Sequence, residues 1–114
     1  MKQDMYLKKN RDFQQVYQKG RSFANRMLVM YVVPTGGDKL SRIGISVSRK
    51  VGNSVVRHRV CRSIREIFRL NRHRLRTGTN IVVVAREAAG HSDYNGLEGA
   101  FLHLCGLHNI RDKD

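Results

Sequence analysis

Hydrophobic and polar positions alternate with a changing period along the chain, and the period assigns the elements. Phe13, Val16 and Tyr17 recur at helical spacing between Asn10, a favourable cap, and Gly20, so a helix is expected over residues 11–18. Residues 21–24 fit a short strand. Residues 27–33, rich in β-branched and aromatic side chains, fit a longer one that ends at Pro34 and the turn Thr35-Gly36-Gly37-Asp38. Over residues 42–48 the pattern alternates strictly, with Ile43, Ile45 and Val47 on one face and Gly44, Ser46 and Ser48 on the other. A long helix follows, capped by Asn53 or Ser54 and reaching about Leu70, with Gly78 beyond its arginine-rich end.

The unbroken β-branched run of residues 79–85 reads as a buried strand. After it, Tyr94, Leu97, Phe101, Leu104 and His108 return at three-to-four spacing behind Ser92 or Asp93, which predicts a last helix to about Leu107. Gly96, Gly99 and Gly106 each weaken that helix by about 1 kcal/mol relative to alanine, so it must rely on packing. The order α-β-β-β-α-β-α predicts an α+β fold, a two-layer sandwich with its helices on one side of a small sheet. With no repeat and no low-complexity linker, residues 1–114 read as a single domain, with residues 1–6 and 111–114 expected to be loose.

Charge changes the picture more than any other property. The 114 residues carry 22 Lys and Arg against 9 Asp and Glu, a formal net charge of +13. Such self-repulsion is rational when a polyanion neutralises it, and nucleic acid is the first candidate. A membrane surface is the weaker one: no apolar run approaches the roughly 20 residues that span a bilayer, and the lysines do not gather in a tail. The first residues, MKQDMYLKKNRDF, lack the apolar core of a secretory signal, which predicts a cytoplasmic protein. Cys61 and Cys105 are read as ordinary thiols of a reducing compartment.

The excess is local. Residues 49–76 hold Arg49, Lys50, Arg57, Arg59, Arg62, Arg65, Arg69, Arg72, Arg74 and Arg76 against one acid, Glu66. At about 100° per residue, Val56, Val60, Ser63, Ile64, Ile67 and Leu70 share one side of the long helix, and His58, Arg62, Arg65, Arg69 and Arg72 share the other. A solvated face laced with salt bridges is the plain alternative. Glu66, however, can serve only a neighbour such as Arg62, and arginine suits bidentate contact with phosphate. The start of the helix, beside Arg49, Lys50, Arg57 and Arg59, offers free backbone N–H groups to a further phosphate.

Phe13, Tyr17, Val29 and Tyr31 leave two readings open. They are core residues, or they line an accessible cleft that stacks unpaired bases; Ser46 and Ser48 on the adjacent strand favour the cleft. A self-contained nuclease would need clustered carboxylates or a histidine pair, and the nine acids are dispersed, so no catalytic side chains are expected. His103, Cys105 and His108 fan around a helix axis instead of converging, so no protein metal site is expected either.

The stretch Lys50-Val51-Gly52-Asn53-Ser54-Val55-Val56-Arg57-His58-Arg59-Val60-Cys61-Arg62-Ser63-Ile64-Arg65-Glu66 resembles the RNR signature of the bacterial ribonuclease P protein family. The resemblance extends through residues 7–13, Val16-Tyr17, Ala24-Asn25-Arg26, residues 44–48 and the strand near residues 81–86. It implies a fold like the second domain of a small-subunit ribosomal protein, with a left-handed β-α-β crossover where general handedness rules favour the right-handed form. It also implies a division of labour in which an RNA subunit performs Mg²⁺-dependent removal of the 5′ leader of precursor tRNA, one protein assists each RNA, and Mg²⁺ is held mainly by the RNA. Carried over by position, Arg49, Lys50, Asn53, Arg57, His58, Arg59, Arg62, Arg65 and Arg69 face the RNA subunit. Phe13, Tyr17, Val29, Tyr31, Ser46 and Ser48 line the leader cleft. His58 departs from the usual middle asparagine, and Cys61 from a common basic residue. A ribosomal or ribosome-assembly protein would share the charge and the fold, without preferring precursor over mature tRNA.

Overall fold

Alternation of buried and half-buried residues along β2 (Leu28–Pro34) divides the protein into two faces. The computed structural model describes residues 5–111. In chain order they form α1 (Asn10–Lys19), β1 (Arg21–Ala24), β2, β3 (Arg42–Ser46), α2 (Ser54–Asn71), β4 (Thr79–Ala85) and α3 (Tyr94–Leu107). Short 3-10 turns stand at Arg49–Val51, Arg72–Arg74 and Glu87–His91. The order matches the α+β expectation. The sheet runs β1-β2-β4-β3, with β2 antiparallel to both β1 and β4, and β3 parallel to β4. Parallel neighbours need a crossover, and α2 with its flanking turns supplies it.

Register places Met30 opposite Val83 and Val32 opposite Ile81. Together with Leu28 and Ile43 these side chains form the inner face, against which Val60, Ile64, Ile67 and Phe68 of α2 and Leu97, Phe101 and Leu104 of α3 pack. Burial of each such side chain contributes about 1.5–3 kcal/mol, so this layer carries the fold.

The position of α1 corrects the picture of all helices on one side. Leu7 and Val16 bury themselves against Val82, whose side chain points away from its neighbours Ile81 and Val83, with Phe13, Tyr17, Tyr31, Val33 and Val84 around them. Sheet, α2 and α3 make the two-layer sandwich, and α1 covers part of the opposite face.

Local departures have simple causes. Asn10 does not cap α1: it is the first helical residue, and Lys9 precedes it with no side-chain cap. The chain approaches along β3, where Leu7 N–H donates to the Ile43 carbonyl at 2.8 Å, so it enters the helix one residue earlier than the Asn signal suggests. On α2, Phe68 is fully buried and Leu70 is 48% exposed. The two lie about 200° apart on a helix, so drawing the larger aromatic into the core turns the leucine out. Asp93, not Ser92, caps α3, accepting from Gly96 N–H at 2.9 Å. Tyr6 and Arg111, in stretches expected to be loose, make single bridges to Ile43 and Leu75; residues 1–4 and 112–114 of those stretches lie outside the described residues.

Candidate nucleic-acid interface

The turn before α2 is built from polar caps. Ser48 has left the sheet, because β3 ends at Ser46, and its hydroxyl accepts from Lys50 N–H at 3.3 Å to start the Arg49–Val51 turn. This corrects its placement beside Ser46 on the open sheet face. Val51 is buried, which anchors the turn and leaves Arg49 and Lys50 exposed at its rim. Asn53 caps α2, its Oδ1 accepting from Val56 N–H at 3.0 Å. One lone pair of the Asn53 amide oxygen is thereby engaged, and its NH₂ group stays available as a donor to a ligand.

The cations of α2 and of the turn after it fall into two groups. Arg57 folds back to donate from Nε to the Gly52 carbonyl at 3.2 Å. Arg59 reaches across to the turn before α3, donating from Nη1 to Ser92 O at 2.9 Å and from Nη2 to Gly90 O at 2.8 Å. Arg72 donates from Nε to Ser41 O at 2.7 Å. These arginines brace the fold. The exposed His58, Arg62, Arg65 and Arg69 line the outer side of the helix with Arg49 and Lys50 near its start. Arg65 also stands 5.7 Å above the ring of Tyr6.

Glu66 pairs with Arg69, not with Arg62. Arg69 Nε and Nη2 donate to the two carboxylate oxygens at 3.0 and 2.8 Å. An acid placed N-terminal to its cation is the favoured helical orientation, which selects Arg69 three residues on over Arg62 four residues back. The hydrogen bonds from Arg69 hold the Glu66 carboxyl below the usual carboxylate range and raise Arg69 in turn. Arg62 stays clear of this pair.

Gly90 shows how closely the braced turn seats. A Cβ there would lie 2.2 Å from the Val51 carbonyl oxygen, so only glycine permits the contact. Arg59→Ala is therefore expected to accelerate hydrogen exchange of the amides between residues 87 and 93 by about tenfold, through loss of two charge-assisted bonds. Gly90→Ala should do the same without altering charge. Unchanged exchange in both variants would show that the brace holds nothing.

On the opposite sheet face the aromatic residues come together. The Tyr17 and Tyr31 rings meet edge to face at 4.9 Å, and Phe13 lies 6.5 Å from Tyr17. A Cβ on Gly44 would come within 2.5 Å of the Phe13 ring, so the absent side chain is what lets that ring lie on β3. Val29 shares this face with Tyr31 and is half-buried. Burial raises the Tyr17 hydroxyl above its ordinary range, and a hydrogen bond with Ser46 works against the rise. All of these aromatics are half-buried: they pack α1 onto the sheet and leave part of their surface exposed.

Val33 and Val84 complete this face, and the sequence concealed both. A continuous β-branched run marks a strand without saying which alternate residues meet which layer. Tyr6 was hidden for another reason, since it lies outside any periodic segment. On α3, Cys105 is buried and its thiol is pushed up to about 12, while His103 contacts Asn25 and His108 Nε2 meets the Met30 carbonyl at 2.8 Å. The three point to different partners.

The comparisons agree with one another. A family model described as Ribonuclease P matches residues 1–107. The ribonuclease P protein component of Alkaliphilus metalliredigens is 49% identical over 104 residues, covering 91% of this chain and 93% of that protein. The RNase P protein of Staphylococcus aureus superposes with a TM-score of 0.87 at 34% identity, over 95% of this chain and 98% of its own. That of Thermotoga maritima gives 0.79 at 33% identity, over 88% and 94%. With the arginine-lined α2, the aromatic sheet face and the element order all in place, the chain belongs to the ribonuclease P protein family.

Proposed function

We propose that the chain works as a two-surface adaptor in a ribonuclease P ribonucleoprotein. The outer side of α2, with Arg49, Lys50, Asn53, Arg57, His58, Arg59, Arg62, Arg65 and Arg69 on and beside it, binds the RNA subunit. The cleft of Phe13, Tyr17, Val29, Tyr31 and Ser46 receives the single-stranded 5′ leader of precursor tRNA. The observation that carries this reading is the separation of the two surfaces: α2 packs on the inner face of the sheet, while α1 and the aromatic cleft occupy the opposite face. One protein can then hold a structured RNA and a leader strand at once, and one protein per RNA suffices.

Each surface suits its ligand. Guanidinium groups on a rigid helix match phosphate oxygens bidentately, and half-buried rings stack bases with little sequence preference. The protein's donors do not fit a Mg²⁺ site of its own: among the described residues no three acidic, histidine or cysteine side chains converge, and Glu66 is engaged by Arg69. In this reading hydrolysis of the leader bond and its Mg²⁺ rest with the RNA, and the protein supplies affinity and position.

Reconstitution tests it. The protein alone should cleave nothing. Added to its RNA subunit, it should raise processing of precursor tRNA most at low Mg²⁺, with a gain that depends on leader length. Failure to stimulate, or a gain indifferent to the leader, would reject the reading.

A further inference from the structure

We propose that the groove between α2 and the start of α3 seats one unpaired base of the RNA subunit, stacked on Tyr94, with the adjoining phosphate against Arg62 and His58. The proposal rests on the RNA-subunit reading above and adds to it a residue from α3 and a mode of contact other than phosphate binding. The groove encloses about 840 Å³ and is lined by Val55, His58, Arg59, Arg62, Glu66 and Tyr94, among others. That volume lies within the roughly 300–1,000 Å³ typical of small-ligand pockets, ample for one nucleotide.

The lining is unusual for a surface that meets only phosphates. Val55 is 75% exposed in the first turn of a strongly basic helix. A sugar-phosphate backbone would leave that side chain uncovered, whereas a planar heterocycle would bury it. Tyr94 packs in part against the core while also lining the groove, so its ring is held in place and does not have to be ordered on binding. Arg59 is fixed by its bonds to the Gly90 and Ser92 carbonyls, so its guanidinium plane forms a rigid cationic wall suited to stacking. His58 and Arg62 are exposed at the same groove and able to turn toward a phosphate.

Glu66 gives the slot a preference. Its carboxylate is charge-balanced by Arg69 yet keeps lone pairs that can accept from an exocyclic amine. Adenine, cytosine and guanine carry such an amine, whereas uracil can offer only its ring N–H, so the slot favours the first three.

The chain contains no tryptophan, so Tyr94→Trp introduces a single reporter at the slot. Titration with the RNA subunit should quench its emission with the same midpoint as binding followed by filter retention. Tyr94→Leu, which keeps apolar bulk against the core, should weaken RNA-subunit binding about tenfold at unchanged salt dependence, because no charge is removed. Tyr94→Phe should bind as the parent does. Intact binding with an unquenched tryptophan, or a Tyr94→Leu variant that binds normally, overturns the base slot and leaves the RNA-subunit reading standing. A parent chain that fails to bind the RNA subunit overturns both.

Discussion

Raising monovalent salt from about 50 to 200 mM will weaken the complex between this chain and its RNA subunit by about a thousandfold or more. Each phosphate neutralised by a protein cation releases condensed counterions, so the logarithm of affinity falls linearly with the logarithm of salt. About six contacts suffice for a loss of that size. Arg49, Lys50, Arg62, Arg65 and Arg69 are exposed on or beside α2, and Arg59 is exposed at its braced start, so the proposed surface can supply that number. Residue by residue the slope becomes diagnostic. Arg62→Ala should reduce it by about one. Glu66→Gln should steepen it by about one and tighten binding, because it removes the only acid of α2 and releases Arg69 from its bidentate pair. Filter binding across a salt series measures both. A Glu66→Gln variant with the parent slope would mean that Arg69 points away from the RNA.

The cationic surface was legible because its signal is one of composition and helical period together, and neither needs tertiary knowledge. Division of the arginines into braces and outward-facing cations was not. Arg59 finds its acceptors in backbone carbonyls 31 and 33 residues away, and no local pattern announces such a bond. Ser48 fell on the wrong element because alternation continues past Ser46 in the sequence, while the hydroxyl is better used as a cap than as a strand side chain.

The apolar pattern of α2 fixed a buried side, yet could not choose between Phe68 and Leu70 at its margins. That choice depends on the shape of the facing sheet and α3. In α1, Phe13, Val16 and Tyr17 announced an apolar stripe without saying which face of the sheet it would cover. The strand order places β4 between β2 and β3, which sets Val82 and Val84 between Tyr31 and Val29 on one side and Gly44 and Ser46 on the other. Nothing short-range in the chain specifies it. Tyr94 was legible as an apolar position of α3 and illegible as a groove residue, since the groove exists only once α3 is docked on α2.

Tyr17→Ala will weaken binding of precursor tRNA to the assembled ribonucleoprotein by about tenfold and leave mature tRNA unaffected. Stacking on an aromatic ring is worth about 1–3 kcal/mol per base, and Tyr17 is the centre of its cluster, touching Tyr31 edge to face and lying near Phe13. Alanine also removes packing between α1 and the sheet, so this variant alone could lose affinity through a loosened helix. Gly44→Val perturbs the same cleft from the sheet side. Valine suits a strand, no aromatic is lost, and the new Cβ would lie 2.5–3.1 Å from three atoms of the Phe13 ring, which must leave its seat on β3. If the cleft holds the leader, displacing that ring should cost precursor affinity while binding of the RNA subunit, on the far side of the sheet, keeps its value and its salt slope. Tyr17→Phe provides the third comparison, keeping the ring and removing only the hydroxyl that meets Ser46. It should bind precursor within about twofold of the parent, because base stacking draws on the ring face. Affinities for precursor and mature tRNA, measured side by side for the three variants, decide the matter: equal losses on both ligands would place these aromatics in the core alone and remove the leader from the cleft.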